Sequence, residues 1–258
     1  MPPVNGLLNG QVALVTGAGG GIGRGIALRF AEQGAAAVVL HCRTAVAAAD
    51  EVAARVRESG ARSVVLRAEL TDEDECRALV REAAEFGGGR LTALVNNAAV
   101  QPTRALPGMT AAEWRAVVDT NLTSVFACTQ AAAEIMREQG AGSVTHIASI
   151  EASAPAPLHA HYSASKAAVV MHARSAALEY GPYGIRVNTV SPGLIDRDGL
   201  GEAWPEGVRR WREAAPTGRL GRPEDVGDAC VFLASSLATW VTGHDLVVDG
   251  GVSARPTW

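Results

Sequence analysis

Gln11-Val-Ala-Leu-Val-Thr16-Gly17-Ala-Gly-Gly-Gly21-Ile-Gly23-Arg24 changes character within fourteen positions and sets the reading of the whole chain. Gln11 to Thr16 is an apolar run of strand length, and Gly21 to Gln33 has helical spacing closed by Gly34. Glycines between a strand and a helix let the backbone approach a pyrophosphate, which then rests on the helix amino terminus. The spacing Gly17-x-x-x-Gly21-x-Gly23 differs from G-x-G-x-x-G, and a plain tight connection would use the same residue type. Nucleotide binding is favoured because the turn opens a chain of alternating strands and helices.

That alternation continues outward. Ala37–His41 and Ser63–Arg67 read as strands, with an alanine-rich helix from about Ala45 to Ser59 between them. Thr71-Asp-Glu-Asp opens a helix with capping chemistry and acids in its first turn. Leu91–Val95 is a fourth strand, and Thr110-Ala-Ala-Glu is a capping box opening one long helix to Gln139. Ser143–Ala148 and Ile185–Val190 are strands flanking a helix from Tyr162 to Tyr180, whose apolar Ala167, Val170, Met171, Ala177 and Leu178 lie near one face. Regularity lapses for about twenty residues after Gly193, which is long for a loop. A helix from Pro223 to about Ser235 and a strand at Asp245–Asp249 close the pattern. Fully apolar strands alternating with helices predict an α/β fold, a doubly wound parallel sheet covered on both faces. No composition break divides it, so residues 1–258 read as one domain with a lid-like segment over about 194–218.

Composition excludes several classes. A chain of 258 residues with 48% hydrophobic content can bury a large core, and a net charge of −4 gives no reason to expect nucleic acid or an anionic membrane. Cys42, Cys76, Cys128 and Cys230 are scattered without metal spacing, as reduced thiols of a cytoplasmic protein would be, and no metal is expected. The start, Met1 to Gly10, has neither the basic region nor the apolar run of a signal peptide. No segment reaches the roughly 20 apolar residues of a membrane span.

The chemistry concentrates in Ser149-Ile-Glu-Ala-Ser-Ala-Pro-Ala-Pro-Leu-His-Ala-His-Tyr162-Ser-Ala-Ser-Lys166. Ser149 follows a buried strand, and Tyr162 and Lys166, four apart on a helix, project from one side. An ammonium beside a phenol favours the phenolate, so Tyr162 is expected to ionise below its reference value of about 10. Such a tyrosine can exchange a proton near neutral pH, and Ser149 can hold a carbonyl oxygen against it. A surface lysine snorkelling past a half-buried tyrosine is the blander reading of the same pair.

These residues together resemble the short-chain dehydrogenase/reductase family. The resemblance rests on Thr16-Gly-x-x-x-Gly-x-Gly23, Asn96-Asn-Ala-Ala99, Asp119-Thr-Asn121, Ser149, Tyr162-x-x-x-Lys166 and Val187-Asn-x-Val-Ser-Pro-Gly193. Gly218-Arg-Leu-Gly-Arg-Pro-Glu-Asp225 and Val248-Asp-Gly-Gly251 extend it to nearly the whole chain. It implies a Rossmann-type fold, a nicotinamide cofactor, and interconversion of an alcohol and a carbonyl compound. By resemblance, Tyr162 is the general acid in reduction, Lys166 lowers its pKa and holds the nicotinamide ribose, and Ser149 polarises the substrate oxygen. The backbone carbonyl of Asn121 fixes a water in the proton relay; a buried asparagine bending a helix is the alternative there. Gly17, Gly21, Ile22 and Gly23 face the pyrophosphate, and Asn96, Asn97 and Ala98 the adenosine-ribose side. Glu69-Leu70 stands at the adenine pair, usually Asp-Leu or Asp-Val, and Ala99 replaces the usual glycine. Pro192, Gly193 and the Ile195 backbone seat the carboxamide, with Leu194-Ile195-Asp196-Arg197 where the family often has a threonine.

Alternatives on the same scaffold are an imine reductase and a non-catalytic dinucleotide sensor. Divergent enoyl reductases space the tyrosine and lysine further apart than here. NADP(H) is expected over NAD(H): Cys42 stands where an acid would hold the ribose 2′-hydroxyl, and Arg43 and Thr44 suit a 2′-phosphate. Gly20 occupies a spot often basic in NADP-preferring relatives. Broad apolar faces on the Thr110–Gln139 and Tyr162–Tyr180 helices, paired in relatives into dimers and then tetramers, imply a homotetramer, with a dimer as the alternative and the tail to Trp258 near a subunit contact; plain core packing would give the same faces. The expected substrate is a small molecule, a ring-bearing or polyfunctional carbonyl compound. Glu151, His159 and His161 lie on one wall of its pocket, and Leu194 and Trp204 on the lid, continuing to Trp211. A surface cluster of Asp196, Arg197 and Asp198, with tryptophans packed on the sheet, is the competing picture.

Overall fold

The computed structural model describes residues 6–254. Seven strands form one parallel sheet: β1 (Val12–Val15), β2 (Ala37–Cys42), β3 (Arg62–Arg67), β4 (Ala93–Asn96), β5 (Gly142–Ile147), β6 (Ile185–Pro192) and β7 (Asp245–Val248). Their order is β3-β2-β1-β4-β5-β6-β7. β1 and β2 are buried at every residue, which explains their unbroken apolar runs, whereas edge strand β3 ends in exposed arginines.

Helices α1 (Gly21–Glu32), α2 (Val46–Glu58) and α9 (Pro223–Ala234) cover one face, packing Ile26, Phe30, Val52, Val56 and Val231 on Val15, Val38 and Leu40. Helices α3 (Glu73–Phe86), α5 (Ser124–Gln139) and α6 (Ala160–Tyr180) cover the other, where Leu79, Val80, Met136 and Ala176 meet Leu14, Leu94 and Val187. The chain winds from β1 to β3 in one direction and from β4 to β7 in the other. The crevice at such a reversal, outside the carboxyl ends of β1 and β4, is where doubly wound sheets bind ligands.

Three sequence expectations change, and the two capping expectations are met. The Thr110–Gln139 helix is α4 (Ala111–Val118), a π turn at Asp119–Thr123 and α5, so one extra residue is inserted around Asn121. Thr110 and Glu113 do form the capping box. The capping chemistry expected of Thr71-Asp-Glu-Asp is met: the Asp72 carboxylate caps α3, accepting from the amides of Asp74 and Glu75, with acids in the first turn. The segment after Gly193 is not irregular: it holds α7 (Leu200–Ala203) and α8 (Pro205–Ala214), around a small core of Leu200, Val208 and Leu220. Finally, of the expected apolar face of α6, Ala177 is buried but Met171 and Leu178 are exposed; the buried face adds His161, which is thereby withdrawn from the pocket wall, with Ser163, Ser165, Lys166, Val169, Ala173 and Ala176.

Candidate active site

The glycine turn is held as a rigid cradle. Gly17 lies at φ +65°, in the left-handed region open to glycine, and a Cβ at Gly23 would collide with the Gly17 carbonyl. Asn97 Nδ2 donates to the carbonyls of Thr16 (2.9 Å) and Gly17 (3.0 Å), while Thr16 Oγ1 accepts from the amides of Asn97 (2.9 Å) and Ala98 (3.0 Å). β1 and β4 are thereby locked where they open the crevice. His41 adds a strut: its Nδ1 accepts from the Gly17 amide at 3.2 Å and its Nε2 faces the Ala68 carbonyl at 3.1 Å. Burial keeps this imidazole below its ordinary pKa, so it stays neutral. Thr16 and His41 were missed as turn-builders; the signal for His41 was one imidazole within an apolar strand.

The other cofactor candidates divide. Gly21 and Ile22 open α1, and Ile22 also packs on the core. The Asn96 side chain does not face the crevice side of the turn: its Nδ2 donates to Thr129 Oγ1 and contacts His146 Nδ1, each at 3.1 Å, beneath α5. Leu70 is 7% exposed and its side chain packs with α3. Glu69 accepts from the Thr71 hydroxyl at 3.0 Å and meets Arg43 Nη1 at 3.5 Å. Arg43 and Thr44 are exposed beyond β2, and Cys42 is buried. Pro192 ends β6; beyond Gly193, Ile195 bridges to Gly221 and its side chain rests on the core. A cleft of about 410 Å³ runs between Gly19–Gly21, α2 and Asp196–Asp198 of the lid.

Ser149, Tyr162 and Lys166 meet at the carboxyl end of β5. Ser149 caps a 3-10 turn at Ile150–Ala152, its Oγ accepting from the Glu151 amide at 3.1 Å. Lys166 Nζ is buried, donates to the Ile147 carbonyl at 2.6 Å and lies 5.6 Å from the Tyr162 ring centroid. Its pKa is pushed down to about 8 by burial. Tyr162 is pushed up to about 12, by burial first, against the Ser149 hydrogen bond and with the Glu151 charge adding to the rise. The expected lowering of Tyr162 is therefore corrected: the ammonium hydrogen-bonds the Ile147 carbonyl and not the phenol, and desolvation is the largest influence on the phenol. Asn121, in the π turn, clamps Val100 with both ends, Oδ1 accepting at 2.8 Å and Nδ2 donating at 2.9 Å. Its Nδ2 also reaches Ser165 Oγ (3.2 Å), which donates to the Tyr162 carbonyl at 2.7 Å.

The wall before Tyr162 is a polar cluster. Glu151 accepts from Gln101 Nε2 and Ser163 Oγ and contacts His159 Nδ1, all at 3.1 Å. Gln101 and Ser163 were not foreseen. On the lid, Leu194 joins the small core with Trp211, which packs on Gly193, whereas Trp204 stacks on Gly207 and remains 53% exposed. Asp196, Arg197 and Asp198 form no ion pair with one another among the described residues.

A family model described as "Enoyl-(Acyl carrier protein) reductase" matches residues 17–253. The chain is 42% identical over 247 residues to cis-4-hydroxycyclohexanecarboxylate dehydrogenase of Sinomonas cyclohexanicum, covering 95% of this chain and 97% of that one. The chain belongs to the short-chain dehydrogenase/reductase family. Another member of the family, 3-oxoacyl-[acyl-carrier-protein] reductase of Synechocystis sp., is 36% identical over 95% of this chain and 98% of its own length. Among solved structures, a 7 alpha-hydroxysteroid dehydrogenase complexed with NADH and 7-oxo glycochenodeoxycholic acid superposes with a TM-score of 0.90 at 35% identity, covering 97% and 98% of the two chains. The protein is thus an oxidoreductase with the family's Rossmann-like sheet.

Proposed function

We propose that this oxidoreductase interconverts a ring-bearing or polyfunctional carbonyl compound and its alcohol, with NADP(H) preferred over NAD(H). The observation that carries the reading is the convergence of Ser149, Tyr162 and Lys166 one strand from the glycine turn. The dinucleotide, when bound, supplies or accepts the hydride. Tyr162, protonated at neutral pH, acts as general acid toward the carbonyl oxygen, which the Ser149 hydroxyl orients. Lys166 supplies the buried positive charge and holds the nicotinamide ribose, and the main-chain carbonyl of Asn121 serves the proton relay. Gly17, Gly21, Ile22 and Gly23 take the pyrophosphate. Asn97 and Ala98, with the backbone of Glu69 and Leu70, take the adenosine side, and Pro192, Gly193 and Ile195 the nicotinamide. The exposed Arg43–Glu69 pair is worth under about 1 kcal/mol, so Arg43 can exchange it for a 2′-phosphate beside Thr44.

Carbonyl rather than enoyl or imine reduction is preferred because Tyr162 and Lys166 stand one helical turn apart, with a serine against the phenol. A ring-bearing substrate is supported by the polar wall of Glu151 and His159 and by the ring compounds in the names of two relatives; Leu194 and Trp204 shape the lid side. We further propose one domain over residues 1–258, acting in the cytoplasm with its four cysteines free, without nucleic-acid or membrane partners. Among the described residues, no helix is long and apolar enough to cross a membrane. Two separate exposed apolar faces, Phe126, Met171 and Leu178 on one side and Phe232, Leu237, Trp240 and Val247 near β7, support a homotetramer. The tail to Trp258 lies outside the described residues. Oxidation of NADPH and NADH by a panel of ketones and cyclic imines tests the reading. Ketone-dependent turnover with NADPH, and an Arg43→Ala variant whose NADPH KM rises, are the expected results. A wild-type preference for NADH removes the cofactor choice, and turnover of imines alone removes the reaction.

A further inference from the structure

The Glu151 cluster is more ordered than a solvated wall requires. A carboxylate has about four acceptor positions. In Glu151 they face Gln101 Nε2 on Oε1, Ser163 Oγ on Oε2, and His159 Nδ1, which lies 3.1 Å from both oxygens. Glu151 has little left to offer a ligand; its effect is to fix His159. Because a carboxylate only accepts, the hydrogen on Nδ1 points at Glu151, and the longer 3.4 Å approach of Gln101 to Nδ1 is a contact of secondary importance. Nε2 is then the imidazole's remaining polar atom, without a hydrogen-bond partner among the described residues, on a side chain 19% exposed.

The dyad is built into the reacting group. Glu151 is two residues from Ser149 and donates its amide to Ser149 Oγ at 3.1 Å. The His159 ring stands edge-on to the Tyr162 ring, with centroids 6.1 Å apart. The His159 ring thus neighbours the phenol ring that would meet a substrate oxygen held by Ser149. Nε2 accepts when the ring is neutral and donates when it is protonated, so a hydroxyl satisfies it in both states. A substrate carboxylate is served only by the protonated ring and meets the Glu151 charge, and an acyl chain leaves Nε2 unpaired.

We propose that His159, oriented by Glu151, hydrogen-bonds a hydroxyl on the carbon next to the reacting carbonyl, making the enzyme selective for hydroxyketones over plain ketones of the same skeleton. The inference rests on the reading of Ser149 and Tyr162 as a carbonyl-reducing pair. Its test is the kcat/KM ratio within matched pairs, 2-hydroxycyclohexanone with cyclohexanone and 3-hydroxybutanone with butanone, using NADPH and NADH. Wild type is expected to favour the hydroxyketone about tenfold or more. His159→Leu should bring that ratio toward one, chiefly through the hydroxyketone KM. Glu151→Gln, which preserves the shape but leaves Nδ1–H less fixed, should lower it part-way. The proposal is overturned if wild type shows no preference, or if both variants keep the wild-type ratio. Absence of hydride transfer to any of the four ketones would instead overturn the carbonyl-reducing reading beneath it.

Discussion

Both faces of α6 depart in part from the usual distribution of polarity, the inner one mixing polar groups with Val169, Ala173 and Ala176 and the outer one setting apolar residues beside Arg174 and Glu179. The face turned inward carries Ser163, Ser165 and Lys166, and the face turned outward carries Met171, 57% exposed, and Leu178, 81% exposed. Each inward polar group has a designated partner: Lys166 the Ile147 carbonyl, Ser165 the Tyr162 carbonyl, Ser163 the Glu151 carboxylate. Burying a polar group is tolerable only with such partners, and a persistent apolar patch outside points to another surface. The contrast teaches that along this helix burial follows chemistry. Hydropathy marks what remains to be covered.

The sharpest way to break the comparison is Tyr162→Phe, which deletes one oxygen from the inner face. It should lower kcat by about 10²–10⁴, the range for losing a general acid; a rate within tenfold of wild type would make the inner face structural. Lys166→Met comes next. Because the folded-state pKa of Lys166 is lowered from 10.5 to about 8, the unfolded chain binds the extra proton between those values, and wild-type stability should rise with pH across that window. The rise, on the order of a few kcal/mol, should flatten in Lys166→Met, as read by denaturant titrations at pH 7.5 and about 10.5. Equal slopes for both proteins would mean that Lys166 is solvated in solution.

On the outer face, Met171→Glu with Leu178→Glu should reduce the particle mass about twofold in light scattering at micromolar concentration, if the proposed assembly covers this face. An unchanged mass would leave that face as ordinary exterior. The smallest effect belongs to the rim between the faces. Glu151 raises the Tyr162 pKa, so Glu151→Gln should move the phenol-governed limb of the oxidation rate toward lower pH by less than about one unit. A limb that stays in place would mean that the Glu151 charge does not reach the phenol.

Much of this was legible in residue order. Strand runs such as Val12–Val15 must be buried on both faces, and Thr110 with Glu113 can only open a helix, so local pattern specified both. The glycine turn and the Tyr162–Lys166 spacing are likewise covalent facts, and they carried the family. What the tertiary structure alone decided depends on contacts between segments far apart in the chain. The π turn at Asn121 exists with a clamp onto Val100, and Asn96 is turned away by Thr129 and His146. The order in the lid comes from Trp211 packing on Gly193 and from the small core around Leu200, which no local period announces. The sign of the Tyr162 shift was decided in the same way. Sequence places a lysine one turn from the phenol, but only the fold sets how deeply both are buried and sends the ammonium to the Ile147 carbonyl, and desolvation then sets the sign.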